Sequence, residues 1–133
     1  MNKTVLEVQN LSKNYNNIKA VSELSLHVDE KMVYGILGPN GSGKTTTLGM
    51  LLGVINSNQG TYSWFDNGSK DENRKRIGSL LETPNFYPYL SAVENLKLVC
   101  RIKEVSYDLI DPILKQVGLF DRKEDAFKTY SLG

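Results

Sequence analysis

The chain has 133 residues, of which 40% are hydrophobic and 23% charged, as expected for one soluble globular domain. Its 16 basic and 15 acidic residues give a formal net charge of +1, so no strong field attracts nucleic acid or an anionic membrane. The single cysteine, Cys100, excludes an intramolecular disulfide and a thiolate metal cluster, and we expect it to be a small buried hydrophobe. The apolar runs are far shorter than the ~20 residues of a membrane span, so any span must come from another segment or subunit.

The first predicted elements are strands. Residues 5–8 form a strand that is predicted to end near Asn10, and residues 24–28 alternate apolar and polar side chains. That period of two is typical of a strand with one buried face. His27 falls on the polar side of this pattern, so we interpret it as a solvated strand residue rather than a catalytic one. Residues 32–37 are almost entirely apolar, which predicts a buried central strand.

A helix and further strands are predicted beyond these residues. Apolar residues at helical spacing follow residue 44, and Gly53 is the predicted end of this helix. Residues 61–65 are rich in strand formers, and residues 77–81 are a second candidate for a buried strand. The basic run at 73–76 indicates a solvated turn or short helix rather than a nucleic-acid site.

The C-terminal third has helical patterns. Ser91 and Glu94 have the spacing of a capping box, and an apolar stripe covers residues 93–102. A second stripe covers residues 109–117, with Pro112 in the first turn of the helix, where proline is tolerated. The fold class predicted from these patterns is α/β, with a strand-rich first part and a helical second part.

One sequence motif indicates a ligand-binding site. Gly38, Gly43, Lys44 and Thr45 fit the pattern G-x-x-x-x-G-K-[ST], between an apolar run and a helical pattern. Glycines let the backbone curl so that N–H groups point at phosphates, and the following helix adds its positive end. Lys44 is expected to reach the β- and γ-phosphates, and the Thr45 hydroxyl to bind Mg²⁺. The alternative is a glycine turn without a ligand, but the context favours a nucleoside triphosphate site.

The residues around this motif resemble the ATP-binding domains of ABC transporters. The stretch LEVQNLSKNYNNIKAVSELSLHVDEKMVYGILGPNGSGKTT is similar to that family throughout. The resemblance implies a P-loop NTPase of the ABC type, with an N-terminal antiparallel β subdomain, part of the core sheet and a helical subdomain. It places the ATP-binding core in residues 1–90 and the helical subdomain in residues 91–133. It also implies ATP and Mg²⁺ as cofactors.

The resemblance assigns an adenine site as well. Tyr15 holds the place of an aromatic residue that stacks on adenine in this family, with Val21 as an apolar neighbour; a strand-edge tyrosine is the alternative. The nucleotide-binding residues implied are Tyr15, Val21, Gly38, Pro39, Asn40, Gly41, Ser42, Gly43, Lys44, Thr45, Thr46, Ser131 and Gly133.

A second similar stretch is IGSLLETPNFYPYLSAVENL. In the family, a glutamine in this region usually contacts Mg²⁺ and the attacking water. Glu82 stands in its place, which resembles the subgroup that exports bacitracin or lantibiotic peptides. The resemblance therefore implies Lys44 and Glu82 as catalytic residues, and Thr45 and Glu82 as metal ligands. The alternative for Glu82 is an ordinary loop glutamate.

Two further segments have family counterparts. Residues 86–89 are rich in aromatic side chains and lie where the family faces a coupling helix of the membrane subunit; packing against the helices is the alternative. Residues 130–133 are similar to the opening of the signature loop, commonly LSGGQ, with leucine in place of the first glycine. In the family, this loop of one copy closes over the ATP of another, and Ser131 and Gly133 would supply those contacts.

The function implied is that of a subunit coupling ATP binding and hydrolysis to export, with a peptide antibiotic as cargo. The implied partners are an integral membrane permease and a second ATP-binding subunit, at the cytoplasmic face of the membrane, without nucleic acid. Because the chain stops inside the signature motif, we expect a truncated domain that binds nucleotide without efficient hydrolysis. The alternatives are a soluble ABC-type ATPase acting on ribosomes or DNA, which the near-neutral charge disfavours, and a small phosphate-loop kinase.

Overall fold

The computed structural model describes residues 3–65, 69–81, 83 and 85–131. By its contacts the chain divides into two compact units, Met1–Leu81 and Glu82–Gly133, which are taken here in turn. The predicted division at residue 90 into a core and a helical subdomain stays a prediction. Within the described ranges, no helix combines the length and apolar character needed to cross a bilayer.

A three-stranded antiparallel sheet forms the base of the first unit. Its strands are β1 (Thr4–Tyr15), β2 (Ile18–Asp29) and β3 (Gln59–Trp64), in the order β2–β1–β3. The turn between β1 and β2 contains Asn16 at φ 51°, a left-handed conformation that asparagine tolerates. The predicted antiparallel β subdomain is thus confirmed.

The strand β1 continues past Asn10, where its end was predicted. Asn10 adopts φ 50°, and the pairing with β2 shifts between Val8 and Leu11. The Asn10 N–H donates to Ser25 Oγ at 2.9 Å. A side chain therefore replaces the ladder bond lost at this bulge, and the strand continues beyond it.

The core of the first unit lies between the sheet and helix α1 (Lys44–Leu51). Its buried apolar residues are Leu6, Val8, Leu11, Met50 and Leu51. The predicted alternation in residues 24–28 is confirmed, because the apolar side chains are half-buried and His27 is exposed. His27 Nε2 lies 2.8 Å from Asp29 Oδ1. The packing of Met50 and Leu51 holds α1, and hence the loop before it, against the sheet.

Two predicted buried strands are not strands in this structure. Residues 32–39 and 77–81 have no regular secondary structure, and none of the described residues pairs with them as a strand. Val33 and Leu37 are almost fully exposed, at 102% and 94%. An extended segment forms a strand only when a neighbour satisfies its backbone N–H and C=O groups. The described sheet offers these segments no such neighbour, so the strand predictions are wrong here.

The basic run at 73–76 lies on a short helix, α2 (Lys70–Arg76), as predicted. A capping box between Ser69 and Glu72 begins this helix. Asn73 is buried, and its Nδ2 donates to the Trp64 carbonyl at 2.8 Å. The helix is therefore anchored to the end of β3 by a buried amide while its charges face solvent.

The second unit is helical. It contains α3 (Ala92–Lys103), a 3-10 turn (Tyr107–Leu109) and α4 (Ile110–Gln116), followed by 3-10 turns at Phe120–Arg122 and Phe127–Thr129. The capping box at the start of α3 and the position of proline in the first turn of α4 are confirmed.

The core of the second unit joins α3 to α4. Cys100, Ile110 and Leu114 are buried, which confirms that the cysteine is a core residue. Ile102, predicted to lie on the apolar stripe of α3, is 73% exposed. Residues at helical spacing from Ala92 through Cys100 meet α4 instead. Ile102 lies two residues further along the helix, on a different side of it.

Candidate nucleotide-binding site

The glycine loop runs directly into α1. Gly41 and Gly43 adopt φ 83° and 88°, and Gly43 is the N-cap of the helix without a capping side chain. The first bond across the helix start joins the Thr47 N–H to the Gly43 carbonyl at 2.8 Å. The left-handed glycines thus turn the backbone into the helix without covering its N-terminal end.

Four consecutive N–H groups at this helix start have no acceptor among the described residues. They belong to Gly43, Lys44, Thr45 and Thr46. A helix leaves its first N–H groups unpaired, and the helix dipole adds positive potential there. Phosphate oxygens supply both acceptors and negative charge, so the backbone at this end suits a phosphate group.

Lys44 brings a full positive charge to the same loop. Its Nζ donates to the carbonyls of Gly38 at 2.8 Å and Pro39 at 2.7 Å. Ser42 Oγ lies further away, at 3.5 Å. The ammonium is therefore held across the loop by the carbonyls of residues that precede it, and its contact with phosphate stays a prediction.

The loop also packs against β2. A Cβ added at Gly43 would lie 2.2 Å from the Ala20 carbonyl oxygen and 3.1 Å from a methyl of Val21. Val21, predicted to neighbour the adenine site, thus lies beside the start of α1. An open cleft of about 440 Å³ lies here, lined by β2 residues, residues 34–37 and the polar side chains of Ser42 and Lys44.

Tyr15 lies at the end of the β1–β2 hairpin, paired with Ile18, and is 45% exposed. Lys13 Nζ lies 5.2 Å from the centroid of its ring and donates to the Asn56 carbonyl at 2.7 Å. Lys13 itself pairs with Val21. Lys13 was not predicted to lie beside Tyr15, although residues two apart on a strand share a face. A base stacking on that face of Tyr15 would displace Lys13.

Thr45 fits the magnesium role by its chemistry. It is exposed, and its hydroxyl makes no hydrogen bond to another described residue. A hydroxyl oxygen is a hard ligand of the kind that Mg²⁺ prefers. The other predicted metal ligand, Glu82, lies outside the described residues.

The signature residues lie in the second unit. Ser131 is exposed and follows the segment 126–130, here called the entry segment. Arg122 closes this segment: its Nη2 donates to the Thr129 carbonyl at 3.3 Å, and its guanidinium lies 4.8 Å from the Tyr130 ring centroid. The Tyr130 hydroxyl donates back to the Arg122 carbonyl. The remaining predicted contact, Gly133, lies outside the described residues.

Comparison with known proteins decides the family. The sequence profile of the ABC transporter family matches residues 21–133. This chain belongs to the ABC transporter family. The matched residues include the glycine loop at the start of α1, and ATP-binding domains of this family bind ATP.

Relatives among ABC proteins cover nearly the whole chain. The ATP-binding protein YhcH of Bacillus subtilis is 40% identical over 98% of the chain. The bacitracin transport ATP-binding protein BcrA of Enterococcus faecalis is 37% identical over 97%. The lantibiotic transport ATP-binding protein SrtF of Streptococcus pyogenes is 33% identical over 97%. The chain spans 44%, 43% and 56% of these three ABC proteins.

Solved structures confirm the fold class. An ATP-binding subunit of an ABC transporter superposes with a TM-score of 0.83 at 25% identity, covering 96% of this chain and 56% of the other. The ADP conformation of the ATP-binding cassette MJ1267 gives 0.76 at 20% identity, over 97% and 59%. The chain therefore has part of the ABC ATPase fold, as the resemblance implied.

Proposed function

We propose that this chain is the nucleotide-binding part of an ABC transporter subunit that couples ATP binding and hydrolysis to export. The observation that carries the proposal is the start of α1, where four N–H groups without an acceptor among the described residues lie in the same loop as the Lys44 ammonium. The similarity to ABC proteins of bacitracin and lantibiotic transport supports a peptide antibiotic as the cargo.

The phosphates of ATP bind, in this proposal, at residues 38–46. The N–H groups from Gly43 to Thr46 donate to phosphate oxygens, and Lys44 reaches the β- and γ-phosphates. Thr45 and Glu82 hold Mg²⁺, which would neutralise phosphate charge. Lys44 and Glu82 are the residues of this chain assigned to the reacting end of the nucleotide.

Tyr15 is proposed to stack on the adenine. We expect Tyr15→Ala to weaken ATP binding about 5- to 150-fold, because stacking on an aromatic side chain contributes about 1–3 kcal/mol per base. Tyr15→Phe keeps the ring and should bind ATP as the unchanged chain does. Fluorescence titration with ATP, and with inorganic tripolyphosphate as a ligand without a base, measures both effects. A Tyr15→Ala chain that loses tripolyphosphate as well would contradict the stacking role.

Glu82 is proposed to act through the metal. Its negative charge should oppose phosphate binding unless Mg²⁺ lies between them, since a bound cation inverts the local electrostatics. We therefore expect the ATP affinity of Glu82→Gln to differ from that of the unchanged chain mainly in its dependence on magnesium. ATP titrations at several magnesium concentrations test this. Identical magnesium dependence in the two chains would defeat the proposal.

The second unit is proposed to meet partners. Ser131 and Gly133 would contact ATP held by a second ATP-binding subunit, and the aromatic residues 86–89 would face an integral membrane permease. Phe86, Tyr87 and Tyr89 are 38%, 53% and 70% exposed, which leaves ring surface for such a contact. This arrangement would place the protein at the cytoplasmic face of the membrane.

Hydrolysis by these 133 residues alone is proposed to be slow or absent. Phosphoryl transfer to water needs an oriented nucleophile as well as a phosphate cradle and a metal. The chain spans less than half of YhcH and BcrA, so other parts of such a subunit would also contribute to hydrolysis. Rapid ATP turnover by the isolated chain would contradict this.

Affinity purification of the full-length protein from membranes solubilised in mild detergent tests the transporter function. We expect an integral membrane protein to copurify in a stoichiometric amount. Copurification with ribosomes or DNA instead would favour the soluble ABC-type ATPase, which neither the near-neutral charge nor the transport proteins among its relatives support.

A further inference from the structure

A buried asparagine organises the loop before α3. Asn95 is 4% exposed, and its Oδ1 accepts the Tyr87 N–H at 2.8 Å. Its Nδ2 donates to the carbonyls of Tyr87 at 3.1 Å, Leu90 at 3.3 Å and Ser91 at 3.0 Å. A side-chain amide has two N–H groups to give, so one of them is shared between two carbonyls. Asn95 thus donates its side-chain hydrogen bonds to the segment 85–91, here called the aromatic loop.

The aromatic loop is bonded in turn to the entry segment. The N–H groups of Phe127 and Lys128 donate to the carbonyls of Leu90 and Pro88, both at 2.9 Å. The Phe86 and Phe127 rings meet edge to face, with centroids 5.0 Å apart. Backbone hydrogen bonds and a ring contact therefore join the aromatic loop and the entry segment into one body. Ser131 is the residue that follows the entry segment in the chain.

Asn95 is the side chain on which this body depends. Leu90 accepts from both Asn95 and Phe127, and an antiparallel bridge pairs Ser91 with Ala126. Without the amide, the Tyr87 N–H would lose its acceptor, and the carbonyls of Tyr87, Leu90 and Ser91 would each lose one of their donors, which is unfavourable away from water. The aromatic loop would then no longer hold one position against the entry segment.

We propose that Asn95 is a positioning residue that locks the aromatic loop to the entry segment, so that displacement of the loop displaces Ser131. The role of Ser131 rests on the proposed function, in which it contacts the ATP of a second subunit. Asn95 carries movement of the surface offered to a membrane partner to the residue offered to ATP.

Hydrogen exchange of the 133-residue chain, unchanged and substituted, tests the lock. The amides of Tyr87, Phe127 and Lys128 should share one protection factor, within about threefold, and one dependence on denaturant, because a single opening exposes them. In Asn95→Asp, which keeps the size and the acceptor but loses the donors, all three should exchange at least tenfold faster. Asn73→Ala is the matched control, since it removes a buried amide from the other unit and should change them less than twofold. Independent protection of Tyr87 and Lys128 would overturn the proposal.

A double-mutant cycle tests transmission. Tyr89 is 70% exposed, with its ring 5.9 Å from that of Tyr87, so Tyr89→Ala perturbs the loop at its surface. We expect this change to shift the backbone amide signals of Phe127 and Ser131, and the shifts to fall by at least half in an Asn95→Asp background. Equal shifts in both backgrounds would overturn the proposal. The same spectra report ATP binding at Gly43 and Lys44, so a failure of nucleotide binding is distinguishable from a failure of the lock.

Discussion

Replacing Lys44 by alanine is expected to weaken ATP binding about 100-fold while the fold remains intact. A hydrogen bond to a charged group contributes about 1.5–3 kcal/mol, and two such bonds to phosphate oxygens correspond to a factor of about 100 or more. We take the low end because Lys44 Nζ already donates to the Gly38 and Pro39 carbonyls and must share or exchange those bonds. The side chain is not part of the core, so the free energy of unfolding should change by less than about 1 kcal/mol.

Lys19→Ala is the matched control for this experiment. Lys19 is an exposed residue of β2 in the same unit, and its removal takes away the same charge. Calorimetric titration with MgATP should show near-normal affinity for Lys19→Ala and a large loss for Lys44→Ala. If both variants lose affinity equally, general charge rather than the loop governs binding, and the assignment of Lys44 fails.

Gly43→Ala is expected to lower the free energy of unfolding by about 3 kcal/mol or more and to abolish measurable ATP binding. A left-handed backbone costs alanine about 1–2 kcal/mol. In addition, the new Cβ would lie 2.2 Å from the Ala20 carbonyl oxygen, so β2 and the start of α1 must separate. Overpacking of this kind typically costs about 1–3 kcal/mol more. That sum is a large part of the ~5–15 kcal/mol that stabilises a domain.

Substitutions at two other glycines separate the cost of the left-handed backbone from the cost of the close contact. Gly41 has φ 83° but open space around a Cβ, so Gly41→Ala should cost only the backbone term of about 1–2 kcal/mol. Gly35 has open space and no left-handed φ, so Gly35→Ala should be neutral within about 0.5 kcal/mol. Urea unfolding followed by Trp64 fluorescence suits the series, because Trp64 Nε1 donates to the Leu51 carbonyl at the end of α1. Equal stabilities of the three variants would contradict the close approach at Gly43.

The phosphate loop could be predicted from the sequence because its chemistry is local. The spacing of Gly38, Gly43 and Lys44 dictates a turn into a helix, and the structure has that turn. The end of α1 at Gly53 was equally local, and Gly53 adopts φ 72°. The capping box at Ser91 is a third example, since all of its bonds lie within three residues.

Features that depend on distant neighbours could not be predicted. The apolar character of residues 32–37 indicates burial, but whether they form a strand depends on a partner that the sequence pattern does not name. The bulge at Asn10 depends on Ser25, fifteen positions away, which supplies the missing acceptor. Lys13 beside Tyr15 was visible in principle, because the two residues share a face of β1.

The role of Asn95 shows the same limit. As a polar residue next to the apolar positions 92 and 96 of α3, it signalled a buried amide. The sequence could not show that its partners lie in the preceding loop, or that this loop is bonded to the entry segment. The bonds between the loop and the entry segment join residues more than thirty positions apart, and they appear only once the second unit is folded.

Backbone amide spectra of the ¹⁵N-labelled chain during titration with MgATP test the central claim most directly. Since the N–H groups of Gly43, Lys44, Thr45 and Thr46 have no acceptor in the described part of the chain, we expect these four signals to move furthest and to saturate together. Tyr15 should follow with the same affinity for ATP and remain unmoved by tripolyphosphate. If the signals at the start of α1 stay in place while others shift, ATP does not bind at this loop and the account is wrong.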